Sequence, residues 1–216
     1  VESPISNELA STPLNPLNDT GITVSGNGTS GINATCTKAI QNGGHVPQDC
    51  DQGRDADTTI AASKVGTGVA AFDYTKLGSD GSEIPVQNGT WSESGTEAEG
   101  THWSCVRDNV TGLIWEVKTT TGTHAFTVRG TWQNRNDLAD TTNTEGLCGL
   151  TNWRVPSLTE LLTIVNNGRQ NPAFDLARFP NGKSQSYWTS NPISGVGTNA
   201  WTVNFFAGIG NSKAKT

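Results

Sequence analysis

The sequence predicts an α+β fold with a small core and long loops. Three observations carry this. Ser157 and Glu160 form an S-x-x-E capping box, and it opens a segment in which Leu158, Leu161, Leu162 and Val165 repeat on one helical face. Segments such as LIWEVKT and NAWTVNFFAG are short, rich in β-branched and aromatic residues, and bounded by Gly or Asn turns, as strands are. Hydrophobic residues make up only 33% of the chain, yet all 7 Trp fall from Trp91 onward. Each such ring buries about 150–250 Å², so few residues suffice for a core in the second half.

The elements follow in order. Residues 1–35 are rich in Ser, Thr, Asn, Gly and Pro and show no sustained period. They read as an extended arm with one short strand around Ile22 to Val24. Residues 42–58 form a polar loop. AAFDYTKL alternates as a strand and GSDG closes it as a turn, while Pro85 confines EIPVQ to a sheet edge. CVRDN and LIWEVKT pair as a hairpin about Thr111-Gly112, with Trp103, Leu113 and Trp115 in the core. Trp132, Arg135, Leu138 and Ala139 recur at helical spacing and predict a modest helix over 131–140. TNWRVP is extended because the residue before Pro156 is pushed out of the α region. The capped helix then runs from Leu158 to about Asn166, and Gly168 can end it. SYWTSNP and NAWTVNFFAG close the chain as strands, with Trp188 and Trp201 directed into one core and a polar end at NSKAKT.

Charge is uneven. Residues 1–100 carry 13 acidic and 4 basic side chains, and residues 101–216 carry 7 and 10, for a formal net charge of −6. This disfavours general nucleic-acid binding and leaves the second half able to meet anionic partners. No run reaches the roughly 18 apolar residues of a membrane span. Cys36, Cys50, Cys105 and Cys148 lack CxxC spacing and nearby zinc-spaced His, so two disulfides in an exported protein are expected rather than a metal cluster. Of three possible pairings, a local staple Cys36–Cys50 and a long-range clamp Cys105–Cys148 is favoured. A reduced, buried set in a cytosolic protein is the alternative.

Asp49, Asp51, Asp55 and Asp57 alternate around a glycine and are the candidate calcium ligands. The pattern is partial, since an EF-hand loop starting at Asp49 would need Glu where Ile60 stands. Turn capping, with Arg54 as counter-charge, is the simpler use of these aspartates. No G-x-S-x-G, H-E-x-x-H or P-loop motif occurs, and the chain is not expected to be an enzyme.

The series DNVTGLIWEVKT, GLCGLTNWRVPSLTELLTIV, NPAFD, SYWTSNP and AWTVNFFAG resembles the bacterial domain named after the C-terminal region of the Legionella collagen-like protein. The resemblance covers residues 103–216 and makes residues 1–102 a loop-rich N-terminal extension with short strands. It implies a C-type lectin-like fold, similar also to formylglycine-generating enzymes, with two helices, a small twisted antiparallel sheet and long loops. It further implies export to the cell surface and a role in recognition or adhesion. The family's usual closing V-R-x-V strand has no counterpart here, so a missing last strand is expected. An adhesin of the family binds sulfated polysaccharide. Exposed cations would be needed for that, and Arg169, Arg178, Lys183, Lys213 and Lys215 are the candidates. The competing expectation is a structural subunit of an extracellular filament or matrix, assembled through the N-terminal arm and edge strands.

Overall fold

The structure is a computed structural model, and it describes residues 18–26, 32–35, 64–68 and 72–215. Most of the expected arm, Cys36 and Cys50, and Asp49, Asp51, Asp55 and Asp57 lie outside the described residues. Strands β1 (Val24–Gly26) and β2 (Ile32–Thr35) form an antiparallel hairpin that overlaps the expected strand at Val24.

β3 (Tyr74–Leu77), β4 (Cys105–Asp108) and β5 (Ile114–Glu116) make one antiparallel sheet in that order. The β4–β5 turn is held by Asp108, whose carboxylate accepts from the Val110 N–H at 3.0 Å and the Thr111 hydroxyl at 2.8 Å. Burial pushes the Asp108 carboxyl up to about 6 in spite of those bonds. Trp103, Leu113 and Trp115 are buried as expected.

Two helices follow. α1 (Asn136–Glu145) starts five residues later than the expected 131–140 and runs through TTNTE. The hydroxyls of Thr141, Thr142 and Thr144 each donate to the carbonyl four residues back, at 2.6–2.9 Å, so these side chains are satisfied within the helix. Trp132 and Arg135 belong instead to the turn before the helix. α2 (Leu158–Leu162) has both halves of the capping box: Ser157 Oγ accepts from the Glu160 N–H at 3.2 Å, and the Glu160 carboxylate accepts from the Ser157 N–H at 2.7 Å. The same carboxylate takes two bonds from Arg154, at 2.8 and 2.6 Å. The helix ends before Asn166 because the Asn166 N–H turns away to the Ala173 carbonyl at 2.9 Å. Ser157→Ala is expected to cost about 1 kcal/mol of stability through loss of this cap, read as a lower urea midpoint at unchanged slope.

β6 (Ser186–Pro192), β7 (Asn199–Asn204) and β8 (Ile209–Ala214) form a second antiparallel sheet in chain order. The polar end of the chain is therefore largely a strand. β8 has no apolar period and every residue exposed, and six registered pairs with β7 hold it. One expectation is corrected. Trp188 stands opposite Thr202, so its neighbour Trp201 lies on the other sheet face. Trp188 is buried and Trp201 only half-buried, because side chains alternate faces along a strand.

The main core gathers both sheets and α2, through Tyr74, Trp103, Trp115, Leu161, Phe174 and Phe205 among others. A smaller cluster surrounds the disulfide: Leu77, Cys105, Ala139, Cys148 and Trp153. The Cys105–Cys148 bond ties β4 to the short 3₁₀ turn Leu147–Gly149, with Cα atoms 6.5 Å apart. That is the long-range clamp expected from the sequence.

Candidate functional site

The face of the second sheet that carries Trp188 is covered by residues 119–135, the connection between β5 and α1. This connection is built by its own main chain. Thr119 N–H donates to the His124 carbonyl and Phe126 N–H to the Thr119 carbonyl, both at 3.0 Å. Trp188 fastens it to β6, its indole Nε1 donating to the Gly130 carbonyl at 3.1 Å. Between the connection and α1 lies an open cleft of about 260 Å³, bounded by Val128, Arg129, Arg135, Asp137 and Leu138 and reaching Trp188.

Trp132 sits at the junction of these parts. Its indole Nε1 donates to the Thr189 carbonyl at 3.2 Å. The Arg135 guanidinium stacks 3.6 Å from its ring centroid and the Lys215 ammonium 4.4 Å from it, each a favourable cation–ring contact. Arg135 Nη1 donates to the Trp132 carbonyl at 2.7 Å, but its Nε is buried with no hydrogen-bond partner. Burial draws the Arg135 guanidinium below its ordinary pKa. Arg129 donates to the Gln185 side-chain carbonyl, and Lys215 Nζ to the Gly197 carbonyl at 2.8 Å. Among the described residues, Arg129, Arg135, Lys183, Lys213 and Lys215 form no ion pair. The arrangement supplies apolar surface, guanidinium groups with bonds to give, and one carboxylate, Asp137. This suits a ligand that carries both hydroxyls and negative charge.

The five cations expected from the sequence divide. Lys215 belongs to the Trp132 assembly. Lys213 pairs with Ala200, which places it on the sheet face of Trp188 and Thr202. Lys183 flanks the connection, its ammonium 3.9 Å over the Phe126 ring. Arg169 is half-exposed but stands 3.5 Å from Asp175, which offsets its charge. Arg178 is corrected: it is buried, its guanidinium bonded to Thr67 Oγ1 and its carbonyl accepting from Trp103 Nε1 at 3.0 Å. A residue so enclosed is a packing element rather than a surface cation. Arg129 and Arg135 were not anticipated as site residues. The W-x-x-R spacing of Trp132 and Arg135 was the available signal, since it allows a cation to fold onto the ring.

A buried charged group joins β5 to the connection and to α1. Lys118 Nζ is 3.0 Å from Glu116 Oε2 and 3.1 Å from Oε1, and only the second contact has hydrogen-bond geometry. His124 bridges two carboxylates, with Nδ1 2.6 Å from Glu116 Oε1 and Nε2 2.7 Å from Glu145 Oε2. Both ring nitrogens of His124 are thus engaged by carboxylates. Among the described residues, no cluster of His, Cys, Asp and Glu could hold a metal, and no helix is long and apolar enough to cross a membrane. The disulfide is of the kind that persists in oxidising compartments.

Comparison with curated proteins and with solved structures finds no match. Residues 104–216 match the family model of the Lcl C-terminal domain, which spans both three-stranded sheets except β3, both helices and the cleft; the chain belongs to that family.

Proposed function

We propose that this chain is an extracellular recognition or adhesion domain that holds anionic polysaccharide against the Trp132 face. The observation that carries the reading is a set of cations that form no ion pair among the described residues: Arg129 and Arg135, which line the cleft beside Asp137, Lys215 over the Trp132 ring, and Lys213 two positions earlier on β8. Sulfate and carboxylate groups on a sugar chain would meet the guanidinium forks, while the sugar's apolar edge would lie against the ring and aliphatic surface. The α+β arrangement is read as C-type lectin-like, and the function as binding without catalysis. Calcium held by Asp49, Asp51, Asp55 and Asp57 stays a proposal, tested by whether a chelator alters binding.

Heparin-column retention against salt tests the reading. The protein is expected to be retained at low salt. Arg129→Gln with Arg135→Gln, and Lys213→Gln with Lys215→Gln, should each lower the eluting salt, because screened surface charge drives the contact. Arg169→Gln should leave elution unchanged, since Asp175 already offsets that charge. A protein that passes through unretained, or variants that elute with the parent, would defeat the reading.

A second reading, a structural subunit of an extracellular filament or matrix, has β8 in its favour. It is an edge of its sheet with every residue exposed, and its first residue Ile209 and the nearby Phe206 are about half exposed. Unpaired strand edges invite pairing with another chain. Lys213, next to last in β8, weighs against this, since an edge lysine discourages such pairing. Large assemblies in negative stain that persist without glycan would favour the filament reading.

A further inference from the structure

We infer that His124 is a protonation-dependent tie between the two walls of the cleft, and that its charge state regulates the binding of anionic ligand there. The regulatory half rests on the proposed function; the tie does not.

One wall is the connection over 119–135, which supplies Val128 and Arg129. The other is α1, which supplies Asp137 and Leu138. His124 belongs to the first wall. Its Nε2 meets Glu145 at the last residue of α1, and its Nδ1 meets Glu116 on β5. The charged groups facing it are these two carboxylates, with Lys118 behind Glu116. An ionised carboxylate only accepts hydrogen bonds, so both ring nitrogens must donate, and only the imidazolium does that. Neutral imidazole has one donor, and loss of the proton turns a ring lone pair toward one of the two carboxylates.

The carboxylate that leaves is decided by burial. The Glu116 side chain is fully enclosed, whereas that of Glu145 is 41% exposed and can turn into water. Deprotonation therefore breaks the contact between the walls and keeps the one to β5. Burial by itself would pull the His124 pKa down, but the hydrogen bonds and charges of Glu116 and Glu145 together outweigh it and hold the pKa above 6.5. A raised histidine pKa gives a contribution that is full below the unfolded value and lost as pH rises through the folded one. The tie is thus closed at mildly acidic pH and opens on the alkaline side of 6.5.

The test uses the full chain and NMR titration of His124, with amide-exchange protection factors corrected for intrinsic pH dependence. The His124 midpoint should lie above 6.5, and protection of residues 119–130 should fall several-fold across it. Glu145→Ala should lower the midpoint and leave protection low and flat with pH. A midpoint below 6.5, or equal protection on both sides of it in the parent, overturns the tie. Heparin retention is measured in parallel. Weakening across the titration that disappears in Glu145→Ala supports regulation. The same weakening in Glu145→Ala would reduce it to bulk charge and overturn the regulatory half. No retention at any pH would remove the proposed function and the regulation with it, while the exchange data still decide the tie.

Discussion

Replacing Cys105 and Cys148 together by alanine is expected to lower the unfolding free energy by about 4 kcal/mol, the chain-entropy value for a link spanning 43 residues. For a chain of this size that corresponds to a melting temperature lower by roughly 8–16 °C. The bond has large leverage because the cluster around it is small. Leu77, Ala139 and Trp153 are its main apolar neighbours, and α1 has only Ala139 and Thr142 fully buried. Without the link, α1 and the turn at 147–149 would depend on few apolar contacts and on local bonds such as Asn143 Nδ2 to the Trp153 carbonyl at 2.9 Å. Urea unfolding of the double variant, compared with the disulfide-bonded parent in the absence of reductant, provides the measurement. A change below about 1 kcal/mol would mean that the unfolded chain was already restricted here and the entropic account does not apply.

The elements that the sequence revealed most clearly are those closed by local bonds. The capping box at Ser157 and Glu160 and the hairpin turn at Thr111-Gly112 each depend on residues within four positions, and both appear where expected. The features that were not legible depend on distant partners. α2 stops at Leu162 because a carbonyl seven residues beyond Asn166 captures that residue's N–H. Arg178 reads as a loop cation, but Trp103, 75 positions earlier, draws its main chain into the core. The site was hidden for the same reason. Trp132 and Arg135 meet locally, but Lys215 reaches the same ring only once β8 is laid beside β7. Strand alternation was also misleading at Trp115-Glu116-Val117-Lys118. A period of two would turn Glu116 and Lys118 to solvent, yet all four are buried, because the connection that follows folds back over the polar face.

That buried pair sets the second large effect. Lys118→Met is expected to cost about 3–5 kcal/mol at neutral pH, the usual consequence of leaving one member of a buried ion pair without its partner. The pH dependence identifies the cause. In the parent, burial pushes the Glu116 carboxyl up, but Lys118 first and then His124 outweigh it and hold the group below 4.5. A depressed carboxylate pKa gives stability that is present above 4.5 and lost as pH falls through the lower folded value. In Lys118→Met the leading opposing charge is gone and burial dominates, so the Glu116 pKa should move upward. Stability would then be recovered as pH falls and the carboxyl takes up a proton. Parent and variant should therefore have urea midpoints that slope in opposite directions with acidification. Glu116→Gln combined with Lys118→Met removes both charges and keeps an oxygen for the His124 Nδ1–H, so it should restore much of the loss. If the double variant is as unstable as Lys118→Met alone, the lysine's contribution is its packed stem and not its charge.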